Sequence, residues 1–201
     1  MKNATAVLEN YRYRAFSRRS SLSLAGKIIL ALIGACLIGL AAQLRFYLPF
    51  TPVPVTGQTM AVLLVAVLLG KNWGGISTAL YAALGAAGLP WFAGMQSGLG
   101  YLAGATGGYI FGFILAAFVV GYLSDNFAVF RSWYGMLSLM LLANFVLIYG
   151  VGLFHLSLVS GIRDVSQLLL LGAVPFLAGD LVKALTAAAL AFALSPKKGS
   201  F

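Results

Sequence analysis

Asp180 and Lys183 are the residues best placed to do chemistry in this chain. They stand three positions apart inside an apolar run, in Pro175-Phe-Leu-Ala-Gly-Asp-Leu-Val-Lys183, so a helix sets both on one face. A charged side chain at the centre of a membrane helix costs on the order of 2.5–3.5 kcal/mol, and the pair therefore roughly 5–7 kcal/mol before mutual compensation. A cost of that size argues for a use. Three uses are open. The two groups can satisfy each other as a structural ion pair, they can grip a ligand carrying both donors and acceptors, as a cyclic urea does, or Asp180 can relay protons.

Other polar residues offer less. Asn144 and Tyr149 are polar handles in one apolar run, and His155 stands near its outer end without a second metal ligand at useful spacing; no metal site is expected. The two Gly-Lys steps, Gly26-Lys27 and Gly70-Lys71, lack the earlier glycine and the following hydroxyl of a phosphate-binding loop. No His-Glu-x-x-His, no Gly-x-Ser-x-Gly and no second carboxylate near Asp180 is present. Catalytic residues are therefore not assigned, and an enzyme is not expected.

The elements that must hold the Asp180–Lys183 pair follow from composition. Of 201 residues, 61% are hydrophobic and 8% charged, against roughly 25% charged in soluble domains. Apolar runs near 27–48, 58–71, 73–88, 105–124, 133–156 and 167–194 are separated by segments rich in Pro, Gly or charge. They predict an all-α integral membrane protein, a six-transmembrane-helix bundle. With both termini on one side, ten basic residues share that side and two, Arg45 and Arg163, lie opposite. The positive-inside rule makes the crowded side cytoplasmic. The net charge of +9 is spread over segment ends, which argues against nucleic acid as a partner and leaves membrane lipid.

Residues 1–26 read as a basic cytoplasmic N-terminal tail, expected without fixed structure rather than as an interfacial helix, and 27–196 as the six-helix domain. The basic start and the long run after it predict a retained first helix rather than a cleaved leader. Cys36 lies in that helix as the lone cysteine. Two loops on the outer side are unusual. The first carries Pro49, Pro52 and Pro54 within seven residues and reads as a stiff lid; the second, near 89–105, is glycine-rich and aromatic, with Trp91, Phe92 and Gln96. Small residues recur at four-residue spacing at Ala31, Ala35 and Gly39, and again at Gly100, Gly104, Gly108 and Gly112. The first ladder lets another helix, internal or on a partner, approach closely, and the second leaves room for helix packing or for a ligand.

Five segments in order resemble the biotin-specific substrate-binding (S) component of energy-coupling-factor vitamin importers, the BioY family. They are Phe50-Thr-Pro-Val-Pro-Val-Thr-Gly-Gln-Thr59, Gly88-Leu-Pro-Trp-Phe-Ala-Gly94, Gly104-Ala-Thr-Gly-Gly-Tyr109 with Phe111-Gly-Phe113, Tyr149-x-x-Gly152, and Gly179-Asp-Leu-Val-Lys183. The likeness runs from about Ala31 to Leu194. It departs at Ala105 and Ala178, where the family usually has Pro, and at Gly57, where it has a large apolar residue. The resemblance implies a multi-pass protein of the plasma (inner) membrane, with no cofactor, whose transported ligand is biotin. It implies an outward-facing pocket closed by the first loop and holding biotin partly through Asp180 and Lys183. On that basis Asp180 takes ureido N–H groups and Lys183 the ureido oxygen or the carboxylate. Trp91, Phe92 and Tyr149 bury the rings, while Gln58, Gln96 and Tyr109 add hydrogen bonds. The implied partners are a transmembrane coupling subunit and a pair of ATPases, with Ala31, Ala35 and Gly39 as the docking face. The alternative is a stand-alone or proton-coupled secondary transporter of biotin or another small vitamin.

Overall fold

The computed structural model describes residues 2–197, with side chains from Val7 onward; Lys198, one of the ten basic residues assigned to the cytoplasmic side, lies outside them. Helix α1 spans Lys2–Ser21 and α2 Leu24–Gln43, whose first turn is capped by Ser23 Oγ accepting the Gly26 N–H. A short antiparallel pair, β1 (Arg45–Phe46) and β2 (Val55–Thr56), brackets the proline loop. Then come α3 (Gln58–Leu69), α4 (Trp73–Ala86), α5 (Leu99–Ala103) and α6 (Gly107–Asn126). Helix α7 (Trp133–Leu142) widens through a π turn at Ala143–Ile148 into α8 (Tyr149–Ser160); α9 (Val165–Gly172) and α10 (Leu177–Leu194) complete the chain.

The chain is mainly helical, and among the described residues four segments are long and apolar enough to cross a membrane: Leu24–Gln43, Gly107–Asn126, Trp133–Ser160 and Val165–Leu194. The predicted runs at 58–71 and 73–88 form α3 and α4, about 18 and 21 Å long at 1.5 Å per residue, short of a hydrocarbon core of roughly 30 Å. Helix α6 packs against α3, α4 and α8, while α10 lies on α3 and α7. The lipid-facing side carries Ile29, Leu37, Leu40, Phe154 and Val182, all exposed, as a bundle whose solvent is hydrocarbon allows.

The N-terminal segment differs from the expected unstructured tail. It is helical because one face finds partners across the end of the bundle. Phe16 is buried in the core. Arg19 donates from Nη1 to the Val67 and Leu68 carbonyls, both at 2.8 Å, which the end of α3 leaves without helical partners. Its other nitrogen pairs with Asp125 at the end of α6, and Asp125 also accepts the Lys71 N–H at 3.0 Å. Burial lowers the Arg19 pKa from its ordinary value and Asp125 opposes that. Gly70 makes the junction possible: its φ is +83°, and a Cβ there would stand 2.2 Å from an Asp125 oxygen.

The expected docking ladder is a second difference. Ala31, Ala35 and Gly39 are buried inside the bundle, where α2 packs on α4. The Ala31 carbonyl accepts the Ser77 hydroxyl at 2.7 Å, and a Cβ on Gly39 would stand 3.1 Å from the Trp91 ring. Small residues permit close approach, and here α4 and the second outer loop use it.

Removing one member of a buried pair strands the other charge at about 3–5 kcal/mol. Asp125→Ala should therefore lower unfolding stability in detergent by that order, and adding Arg19→Met should restore part of it. A single variant as stable as the unaltered chain would show that α1 is not anchored by this pair.

Candidate functional site

A break in the last apolar segment positions the site. Pro175 has no N–H to give and biases the residue before it away from helix, so α9 stops at Gly172, a 3₁₀ turn covers Val174–Phe176, and α10 restarts at Leu177. Asp180 therefore lies in the first turn of a new helix rather than mid-helix as the continuous run suggested. The partial positive charge of a helix start stabilises a carboxylate there, which lowers the insertion cost expected from sequence.

The carboxylate is held at both oxygens. Oδ1 accepts from Lys183 Nζ at 2.6 Å and Oδ2 from the Tyr149 hydroxyl at 2.8 Å. The Asp180 side chain is 7% exposed and that of Lys183 18%. A carboxylate offers about four lone-pair sites and an ammonium three donors, so these contacts leave Asp180 acceptors and Lys183 donors unused. Both residues line a cavity of about 520 Å³, part of it open to solvent.

Its walls come from six parts of the chain. Tyr109, Ile110 and Phe113 of α6 face Ile148 and Tyr149, with Phe176 from the α9–α10 break beside Asp180. Val53, Pro54, Val55 and Thr56 cover it from the proline loop, Gln58 and Thr59 enter from the start of α3, and Tyr101 and Thr106 from the second outer loop. The loop is tied down where α9 ends: Thr51 Oγ1 donates to the Leu171 carbonyl at 2.6 Å and accepts the Val53 N–H at 3.2 Å. The next carbonyl, Gly172, accepts the Tyr109 hydroxyl at 2.7 Å. Two carbonyls freed by the break are thus taken by the lid and by a cavity wall.

Of the residues singled out from sequence, Asp180, Lys183, Tyr149, Tyr109 and Gln58 meet at this cavity. Gln58 already has partners, donating to the Tyr81 hydroxyl at 2.6 Å and accepting from Thr56 at 3.1 Å. Trp91, Phe92 and Gln96 do not line it. Trp91 donates its indole N–H to the Tyr81 carbonyl at 2.9 Å and packs over Gly39. Phe92 fills a slot between Tyr81 and Tyr101, and its N–H donates to the Gln96 carbonyl at 3.0 Å. These residues brace the wall: Tyr101, stacked on Phe92, is the ring that reaches the cavity. Sequence reading missed Tyr101, Thr106 and Phe176, although the tyrosine in a glycine-rich stretch was a signal.

The glycine ladder divides. Cβ atoms at Gly108 and Gly112 would meet His155 at 2.2 Å and the Ile148 backbone at 2.9 Å, so these two serve the contacts of α6 with α8 and with the π turn before it. Gly152 and Gly172 leave room for the Tyr109 ring and hydroxyl, whereas nothing lies within 4 Å of a Cβ at Gly100. Asn144 is fully buried, and neither side-chain amide atom has a hydrogen-bond partner among the described residues. Also among these, no three His, Cys, Asp or Glu residues cluster as metal ligands would.

A probable biotin transporter BioY of Methanothermobacter thermautotrophicus is 47% identical over 137 residues, covering 66% of this chain and 87% of its own. The biotin transporter BioY of Thermotoga maritima is 42% identical over 147 residues, covering 73% of this chain and 83% of its own. The crystal structure of the S-component for biotin from an ECF-type ABC transporter superposes with a TM-score of 0.78 at 27% identity, over 90% of this chain and 97% of that one. The family model for the BioY family matches residues 13–199. This chain belongs to the BioY family.

Proposed function

We propose that this chain is the membrane-embedded biotin-binding component of a vitamin importer, passing biotin to the cytoplasm with an ATP-driven energy-coupling module. The carrying observation is the Asp180–Lys183 pair, which faces the cavity with acceptors and donors to spare. A ureido ring has N–H groups for the Asp180 carboxylate and a carbonyl oxygen for Lys183 Nζ, and a sulfur ring suits the apolar wall of Ile110, Phe113, Ile148 and Phe176. Relatives named as biotin transporters support the ligand, and the structural neighbour's ECF-type assembly supports partners consisting of a transmembrane coupling subunit and two ATPases. A binding protein that releases its ligand intact needs no catalytic residues. The proton-relay reading has less support, because Asp180 is already engaged by a cation and a hydroxyl.

Six crossings, with both termini cytoplasmic in the plasma membrane, are the topology we favour. Helices α3 and α4 are short because the outer part of the bundle is occupied by the cavity and the loops over it. Helix α3 starts at the cavity with Gln58 and ends near Arg19 and Asp125. Reporter fusions to each terminus should both report a cytoplasmic location; opposite locations would rule out an even number of crossings.

Asp180→Ala should weaken biotin binding in titration calorimetry on detergent-purified protein by about 1–3 kcal/mol for each ureido N–H left unpaired. An unaltered isotherm would remove Asp180 from the site. Thr51→Val deletes the tether between lid and α9, worth about 0.5–1.5 kcal/mol per hydrogen bond, so biotin should dissociate about three to ten times faster. Unchanged stopped-flow dissociation would mean that the lid is held by its prolines alone.

A further inference from the structure

Asp125, at the far end of α6, borders a second recess. It lies about 24 Å along α6 from Tyr109, at 1.5 Å per residue, and so at the opposite end of the bundle from the ligand cavity. Arg19, Lys27, Lys71, Asn72 and Trp73 join Asp125 around a recess of about 650 Å³, part of it open to solvent. Arg19 and Asp125 neutralise each other and fix one wall. Among the described residues, the ammonium groups of Lys27 and Lys71 have no hydrogen-bond or ion-pair partner. Three cations against one carboxylate give the lining an excess of two positive charges that folding does not use.

The surroundings narrow the ligand's chemistry. Helix α4 starts at this recess without a side-chain cap from Asn72, so its partial positive charge adds to that of the lysines. Trp73 is half-buried at the rim, where an indole suits the boundary between hydrocarbon and headgroups. Directly after Lys27, Ile28 and Ile29 are exposed on the flank of α2. A polar, cationic recess continuous with an apolar flank fits an amphiphile better than a small free anion.

We propose that this recess binds the phosphate headgroup of an anionic phospholipid, with Lys27 and Lys71 on the phosphate and the acyl chains along Ile28 and Ile29. The site requires the chain to be membrane-embedded and does not require biotin as its ligand.

Native mass spectrometry of the detergent-purified full chain, given equimolar phosphatidylglycerol and phosphatidylcholine, tests this. Phosphatidylglycerol should be retained in preference. Each lysine removed should weaken that retention about fivefold, and the double variant Lys27→Gln/Lys71→Gln about 30-fold, with biotin affinity unchanged. Should the double variant fail to melt as a folded protein, Lys71→Gln alone, on an exposed turn, carries the comparison. Equal retention of the two lipids, or undiminished retention in the variants, would overturn the proposal. If millimolar inorganic phosphate raises the melting temperature as much as phosphatidylglycerol does, the recess takes a free anion and the lipid assignment falls. Loss of biotin binding with lipid retention intact would instead count against the proposed function.

Discussion

A carboxylate placed within a lipid-embedded bundle has no water to fall back on, so every contact Asp180 makes is a condition on the surrounding fold. Lys183 is supplied by helical periodicity alone, one turn on. Tyr149 is supplied by tertiary structure, and its position depends on the π turn at Ala143–Ile148, which adds a residue to the helix before it. The helix start after Pro175 contributes backbone polarity. Three independent devices converge on one side chain, and the cavity forms where they meet.

The same break that favours Asp180 creates a second demand. Ending α9 strands the Leu171 and Gly172 carbonyls, and buried carbonyls are seldom left unpaired. Thr51 and Tyr109 take them, so lid closure and wall geometry both follow from interrupting one helix. Tyr109 reaches Gly172 only because Gly152 and Gly172 carry no side chains to block it. The small residues of α6 and α8 thus set the distance at which a hydroxyl on one helix meets a carbonyl beyond another.

What sequence made legible follows from this hierarchy. The positions of the apolar runs and the pairing of Asp180 with Lys183 on one helix face were readable, because hydropathy and helical spacing are local properties. The helix break was partly readable, since Pro175 stood in plain view, yet an apolar run on both sides of it gave no sign that the chain restarts there. Trp91 and Phe92 could not be sorted by type: an aromatic ring packs a loop as readily as a ligand, and only the slot between Tyr81 and Tyr101 decides it. Ala31, Ala35 and Gly39 declared a close contact but not its partner, which proved to be α4 and Trp91. Helix α1 was opaque because its anchoring depends on Val67, Leu68 and Asp125, residues distant in sequence.

Engagement of Asp180 before any ligand arrives does not compete with a binding role. If the acid had only one strong acceptor direction, a ligand N–H would have to displace Lys183 or Tyr149 and lose their bonds. A carboxylate has about four directions and these partners occupy two, so ligand donors add to the existing set. Tyr149 and Lys183 then act as an orienting frame that keeps the carboxylate fixed before the ligand enters, reducing the ordering cost at the moment of binding. Asn144 shows the contrast: equally buried, with no frame around its amide, it has polarity but no defined direction in which to offer it. In a low-dielectric interior, an oriented polar group can recognise a ligand, whereas an unpaired one mainly costs stability.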